Sequence, residues 1–372
     1  MMAVGQDDPV IQNVTAAVYQ VPTDQPEADG TLAWSSTTLV LAQVCGGGHT
    51  GIGYTYGSAA CKPLIEGKLA EVITGYSVFD TGASLEAMVR AVRNMGRPGI
   101  ASYAISAVET ALWDLKGILL GVPVGALLGA VRDTVPVYGS GGFTTYDEPA
   151  ARTQLEHWTY GLGIPRVKIK IGESWGAAED RDLARIEYAR KVIGPDVELY
   201  VDANGGYTRK QAIRMGHAMT SSGVTWFEEP VSSDDLDGLR EVRDQVDLDV
   251  TAGEYGYDLP YFGRMVHAGA VDCLQVDVTR CGGITEWLRA AAVAAARGLQ
   301  VSGHCAPNLH AHAAAAAPNF RHLEYFHDHV RIESMFFDGA LSPSAGALRP
   351  DRSRPGLGLS LKDPNAAPYR TA

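Results

Sequence analysis

The sequence predicts an α/β protein in which a smaller α+β unit precedes a parallel sheet closed into a (β/α) barrel. Three observations predict it. The chain has 372 residues, more than a typical single domain. After Arg132, short apolar strands alternate with helical stretches at a repeat of about 20 to 30 residues, enough for one strand, one crossover helix and loops. Ionisable side chains recur at the ends of those strands, the face on which a barrel gathers its chemistry.

In chain order, two β-rich runs lie between Ile11 and about Val44, one of them Thr37 to Val44, and flank the polar segment Pro22 to Ser36. They read as a hairpin with a long tip. Gly46 to Ser58 reads as a further glycine-rich loop, and helical patterns follow. In Ser102 to Leu120, Ala107, Ala111, Leu112, Leu115 and Leu119 share one face. Eight strands are then expected at Val135–Tyr138, Val167–Ile171, Leu199–Val201, Thr225–Phe227, Val250–Thr251, Cys273–Val276, Gln300–Ser302 and His322–Leu323. An open doubly wound sheet is the alternative, disfavoured because no strand runs into a GxGxxG or Walker-type loop. Beyond Glu324 the periodicity fades, and Pro350 to Leu361 reads as an extended tail returning toward the first unit. The expected divisions are 1–132, 133–325 and 326–372.

Composition narrows the function. Apolar residues at 46% and charged residues at 20% are ordinary for a globular protein. With 31 basic against 43 acidic residues and no Lys/Arg cluster, nucleic acid is disfavoured as a partner. Cys45, Cys61, Cys273, Cys281 and Cys305 are odd in number, lack CxxC spacing and read as reduced core thiols. Met1 to Pro9 carries Asp7 and Asp8 without an apolar run, and no apolar stretch of about 18 residues follows, so a soluble cytoplasmic protein without membrane contact is expected. The apolar run Ala290 to Ala296, bounded by Arg289 and Arg297, reads as a buried helix face.

Asp202, Glu228 and Glu254 close the motifs LYVDAN, TWFEEP and VTAGEY at a constant interval of 26 residues, one carboxylate per βα unit. Strand ends of a barrel lie about 5 Å apart, so the three acids converge. Buried like charges repel unless a cation sits among them, and all-oxygen ligation selects a hard divalent ion such as Mg²⁺. A single acid here would be an ordinary loop residue; three in register are a candidate metal site.

In VKIKI, Lys168 and Lys170 share one face, opposite Val167, Ile169 and Ile171. The outer face of a barrel strand is covered by helices, so the lysines are expected to point inward, each depressing the other's pKa, as a nearby metal also would, so that one can act as a neutral base near pH 7 while the other pairs with a substrate carboxylate. Asp277 in LQVDVTRCGG and His304 in QVSGH end successive strands, placing an acid where it can orient an imidazole. Glu324 in HLEYF either donates a hydrogen bond to a developing oxyanion, if protonated, or pairs with a neighbouring Arg or His. His310 and His312, two apart on a helix, face different ways and are read as structural.

Taken together, SAVETALWDLKGILLGVPVGALLG, VKIKIG, VDANGGYT, WFEEP, AGEYG, DVTRCGG, SGHCAP and RPGLGLSLK resemble the enolase superfamily, and within it the mandelate racemase subgroup, across nearly the whole chain. The resemblance implies a modified TIM barrel, (β/α)₇β, beneath an N-terminal α+β capping domain. It implies that Asp202, Glu228 and Glu254 hold Mg²⁺, that Lys170 is the base for one face of the substrate, and that Lys168 binds the substrate carboxylate. His304, oriented by Asp277, would serve the opposite face, Glu324 would hydrogen-bond the enediolate, and Glu229 would support Glu228. Asn204 and Ser140 sit where the family contacts substrate. Two lid segments, Val21 to Trp34 and Gly46 to Ser58, would set substrate identity, with Trp34, Tyr54 and Tyr56 either lining that lid or merely packing the hairpin. A homo-oligomer, dimer to octamer, is the family's habit.

The expected reaction is removal of the proton next to a carboxylate. Acid-sugar dehydratases are widespread among chains resembling this subgroup, so dehydration of a sugar acid to a 2-keto-3-deoxy acid leads; a 2-hydroxy-acid racemase or epimerase with the same two bases is the alternative. A barrel metallohydrolase or a non-catalytic carboxylate-binding protein are the readings from other classes.

Overall fold

In the computed structural model, which describes residues 8–372, β1 (Ile11–Ala28), β2 (Ala33–Gly46) and β3 (His49–Tyr56) form an antiparallel sheet in that order. The expectation drawn from Met1 to Asp7 lies outside the described residues. Alternate residues of the sheet, among them Val14, Ala16, Val18, Val40, Ala42 and Val44, are buried against the helix Ile100–Leu120 and its neighbours. β3 corrects the loop expected over Gly46 to Ser58. A Cβ on Gly51 would stand 2.3 Å from the Ala111 carbonyl oxygen, and one on Gly53 2.3 Å from that of Ala107. These glycines let the helix backbone lie directly on the strand.

All eight expected barrel strands are present: β4 (Val135–Gly141), β5 (Arg166–Lys170), β6 (Glu198–Asp202), β7 (Val224–Glu228), β8 (Asp249–Ala252), β9 (Cys273–Val276), β10 (Gln300–Gly303) and β11 (Phe320–Phe326). Each pairs in parallel with the next, and β11 pairs with β4, which closes the sheet and removes the open alternative. A short strand, Ala347–Leu348, adds antiparallel to the start of β4. Outward residues such as Val167, Ile169, Leu199, Val201, Val250 and Val301 are buried in the main apolar core. Inward, Tyr138, Tyr200, Trp226 and Cys273 form their own cluster, with Tyr200 stacked on Trp226 at 5.5 Å and the His322 ring 4.8 Å from both Trp226 and Tyr138. This aromatic layer fills the barrel beneath the lysines; Lys168 Nζ lies 5.4 Å over the Tyr138 ring.

The chain after β11 is more ordered than its weak periodicity implied, beginning with the helix His327–Phe336. Asp114 ties three segments together: it accepts from the backbone of Ile52 in β3 (2.8 Å) and of Leu357 in the tail (2.6 Å), and burial pushes its carboxyl up to about 7. Thr371 N donates to Val18 O at 2.8 Å. His310 and His312 are indeed structural, sharing hydrogen bonds with the backbone of Val276 and Val278, and of Gly125 and Leu357.

The β1–β2 tip reaches over the barrel mouth. Trp175 N donates to Gly30 O (3.0 Å), Thr144 Oγ1 to Asp29 O (2.8 Å) and Thr145 Oγ1 to Pro26 O (2.6 Å). Gly30 is required there, since a Cβ would lie 2.4 Å from the Ile171 carbonyl oxygen. Among the described residues the five cysteines are unpaired, and no helix is long and apolar enough to cross a membrane.

Candidate active site and metal centre

Register builds the site. Lys170, Asp202 and Glu228 are direct partners across β5, β6 and β7, so the three side chains arrive at one level of the barrel mouth. One oxygen each from Asp202, Glu228 and Glu254 lie within 4.8 Å of one another, and all three residues are buried. Glu254 Oε2 makes no contact with hydrogen-bond geometry among the described residues, His304 Nε2 lying 3.3 Å away. Three buried carboxylates converging on one point, with oxygen donors only, fit a hard divalent cation such as Mg²⁺.

The cations of the protein itself stand around the triad. Lys168, fully buried, is ion-paired to Glu228, to Glu324 at 2.7 Å and to Asp202 at 3.6 Å. Lys170, 6% exposed, holds Asp202 at 2.5 Å. Arg280 lies 3.0 Å from Glu254 and 3.2 Å from Asp277, its guanidinium packed over Tyr255. His304 Nε2 is 3.3 Å from Glu254, and its Nδ1 donates to Asp277 at 2.8 Å. The other Asp277 oxygen accepts from the backbone N–H and the hydroxyl of Thr279, both at 2.7 Å, which fixes the carboxylate and through it the imidazole.

These contacts set the protonation pattern. Burial opposes charge on Lys170, yet Asp202 raises its pKa above the ordinary lysine value; Glu228 and Glu324 do the same for Lys168. With no cation on the acids, the mutual depression expected of two lysines is outweighed by the carboxylates around them. Of the two readings of Glu324, the contacts favour the ion-paired one: against burial, Lys168 and His304 hold its carboxyl well below the usual range. Burial pushes Glu228 up to about 8. Asp277 is held low, against burial, by the hydrogen bond from His304, and Glu254 and Glu324 raise His304 despite its burial.

Ser140 donates to Glu324 at 2.6 Å, placing it in this cluster. Asn204 lies at the rim, in a cleft of about 650 Å³ that Thr31, Trp175, Glu229 and Tyr255 also line. Tyr54 and Tyr56 do not line a lid. Tyr54 stacks on Phe337 at 5.1 Å and Tyr56 on His329 at 3.4 Å, so both pack the capping sheet against the chain after the barrel. Trp34 sits on the hairpin stem, edge-on to Phe143 at 5.5 Å and donating to Glu27 at 2.8 Å.

Two features escaped the sequence reading. Arg280 is ion-paired to both Glu254 and Asp277, and its signal was its place three residues after Asp277 in DVTRCGG. Asn204, Glu229, Cys305 and Ala306 have left-handed backbone, φ 45, 40, 54 and 38°, immediately after the strands that carry the charged groups. Such strain gathers at functional sites and, Asn apart, leaves no mark in residue type.

Residues 13–129 match the family model described as mandelate racemase/muconate lactonizing enzyme, N-terminal domain, and residues 150–365 match that described as enolase C-terminal domain-like. L-talarate/galactarate dehydratase of Salmonella typhimurium is 30% identical over 88% of this chain and 82% of its own. The structure of that dehydratase with Mg and L-lyxarohydroxamate superposes with a TM-score of 0.90 at 26% identity, covering 100% of this chain and 95% of that one. A mandelate racemase/muconate lactonizing enzyme-like protein from Rubrobacter xylanophilus gives a TM-score of 0.94 at 47% identity, covering 97% and 100% of the two chains. An enolase from Bradyrhizobium, complexed with magnesium and mandelic acid, gives 0.89 at 28% identity over 100% of each chain.

Proposed function

The chain belongs to the mandelate racemase/muconate lactonizing enzyme family, and from that premise we propose that it is a Mg²⁺-dependent hydro-lyase that removes the α-proton of a sugar acid and eliminates its β-hydroxyl, giving a 2-keto-3-deoxy acid. The observation that carries the reading is the placement of two bases at opposite ends of the carboxylate row. Lys170 touches Asp202, the first of the three, and His304 touches Glu254, the last.

Asp202, Glu228 and Glu254 would hold the Mg²⁺. When bound, the ion would supply positive charge against the negative charge that builds on the substrate carboxylate, and Asp202, engaged there, would hold Lys170 less firmly as ammonium. Lys168 binds the substrate carboxylate, its ammonium held by Glu324 and Glu228. Lys170 takes the α-proton, and the C–H electron pair moves into the carboxylate. His304, kept as imidazolium by Glu254, Glu324 and Asp277, gives its proton to the β-hydroxyl as the C–O bond breaks, and water leaves. Ser140 fixes Glu324 beside Lys168, and Asn204 meets the substrate at the rim. The resulting enol tautomerises to the 2-keto acid. The unpaired thiols suit work in the reducing cytoplasm, and assembly as a homo-oligomer follows the family's habit.

The test is incubation with Mg²⁺ and a panel of aldonic and aldaric acids in heavy water. Carbonyl derivatisation detects the 2-keto acid, and α-deuterium incorporation detects proton abstraction. Keto acid formed from at least one acid supports the proposal. Deuterium at the α-carbon of an inverted, undehydrated acid assigns the same bases to epimerisation instead, and neither signal with any acid overturns the two-base assignment.

A further inference from the structure

A second set of ligand-type side chains, sharing none with the triad, lies where the hairpin stem meets the turn after β11. Asp24 and Glu27 come from the stretch of β1 between Pro22 and Glu27 in which the pairing with β2 shifts register, and His327 opens the helix that follows β11. Nε2 of His327 stands 3.1 and 3.2 Å from the two Asp24 oxygens, and a Glu27 oxygen completes a group whose ligand atoms all lie within 4.8 Å of one another. Two donors on one ion at about 2.1 Å are about 3.0 to 3.4 Å apart in octahedral or tetrahedral coordination, which is the Asp24–His327 separation.

Glu27 provides the independent sign of a ligand. It is 1% exposed; Trp34 donates to its Oε2, while its Oε1 has no partner among the described residues. Burial and the neighbouring Asp328 push its carboxyl up to about 9, so the group is crowded by negative charge that a cation would neutralise. Nη2 of the nearby Arg331 bonds Asp328 and the Pro22 carbonyl, both at 2.8 Å, and Arg331 makes no hydrogen bond to Glu27 among the described residues. Asp24, with 43% of its side chain exposed, opens the group to solvent.

We propose that Asp24, Glu27 and His327 form a second cation site that takes a divalent transition-metal ion of the zinc type and pins the hairpin stem to the barrel. One imidazole among two carboxylates selects such an ion over Mg²⁺. Its span, from β1 to the residue after β11, makes it a clasp on the segment whose tip covers the mouth.

The experiment loads the full-length chain with Zn²⁺ in excess Mg²⁺, removes free metal by gel filtration and counts bound zinc for the wild type, Asp24→Asn and His327→Gln. The expected result is one zinc ion fewer per chain in each variant, together with zinc-dependent slowing of amide exchange over residues 22–34 in the wild type only. An unchanged count in either variant overturns the site and leaves Asp24–His327 as a plain ion pair. Both side chains are partly exposed, so both variants are expected to fold, which circular dichroism checks. The readout is a difference at residues outside the triad, so failure of the Mg²⁺ reading would not move it.

Discussion

Replacing Lys170 by methionine is expected to destabilise the metal-free barrel mouth and to increase what magnesium adds to stability. Lys170 Nζ stands 2.5 Å from Asp202, with side chains 7% and 0% exposed. At an effective dielectric of about 20, that contact is worth roughly 7 kcal/mol in Coulomb energy. The ammonium's own burial cost disappears with it, and breaking a buried pair nets about 3–5 kcal/mol. Lys168 remains 3.6 Å from Asp202, which puts the expectation at the lower end, about 3 kcal/mol. The assay is urea unfolding of wild type and variant, first with a chelator and then with magnesium. Magnesium at about 100 times its Kd adds about 2.7 kcal/mol to the wild type. It should add more to the variant, where no lysine competes for Asp202. Equal stability of the two proteins under chelator, or a smaller magnesium gain in the variant, would refute the reasoning.

Asp277→Asn removes negative charge that helps hold His304 protonated and can turn an amide N–H toward the ring, and should lower turnover by about 10²- to 10⁴-fold while leaving Mg²⁺ binding intact, as read by steady-state kinetics beside calorimetric metal titration. His312 is buried as the neutral imidazole, and burial pushes it down to about 4. The unfolded chain takes up a proton there below about pH 6.5, so this group removes stability as pH falls from about 6.5 to about 4, by up to about 3 kcal/mol. His312→Gln should flatten that part of the acid limb in unfolding curves recorded at pH 4.5 and 7. Gly53→Ala drives a methyl group into the Ala107 carbonyl and should cost about 2 kcal/mol or more, seen as a lower thermal midpoint.

The barrel was legible because its signal is local and repeated. Inward and outward residues alternate along each strand, as Lys168 and Lys170 do against Val167 and Ile169, and a strand rarely ends in a carboxylate three times running by accident. What stayed hidden depends on distant partners. Gly51 and Gly53 look like loop residues until the helix Ile100–Leu120 is laid on them. Tyr54 and Tyr56 are alternate residues of a strand whose covering face is made by Phe337 and His329, far along the chain. The acids that surround the two lysines, Asp202, Glu228 and Glu324, come from three other strands, so their combined pull on the pair does not show in VKIKI itself. The helix His327–Phe336 mixes polar and apolar residues too evenly for its period to show.

The packed rings of Tyr138, Tyr200 and Trp226 turn the barrel into a vessel with a sealed base. Whatever enters must leave by the opening it came through, past the turn at Asp29 and Gly30. On the proposed reaction, the departing product and the incoming acid would share that doorway. A faster enzyme would be sought by loosening that turn's grip on Thr144 and Trp175 before touching any group that handles protons.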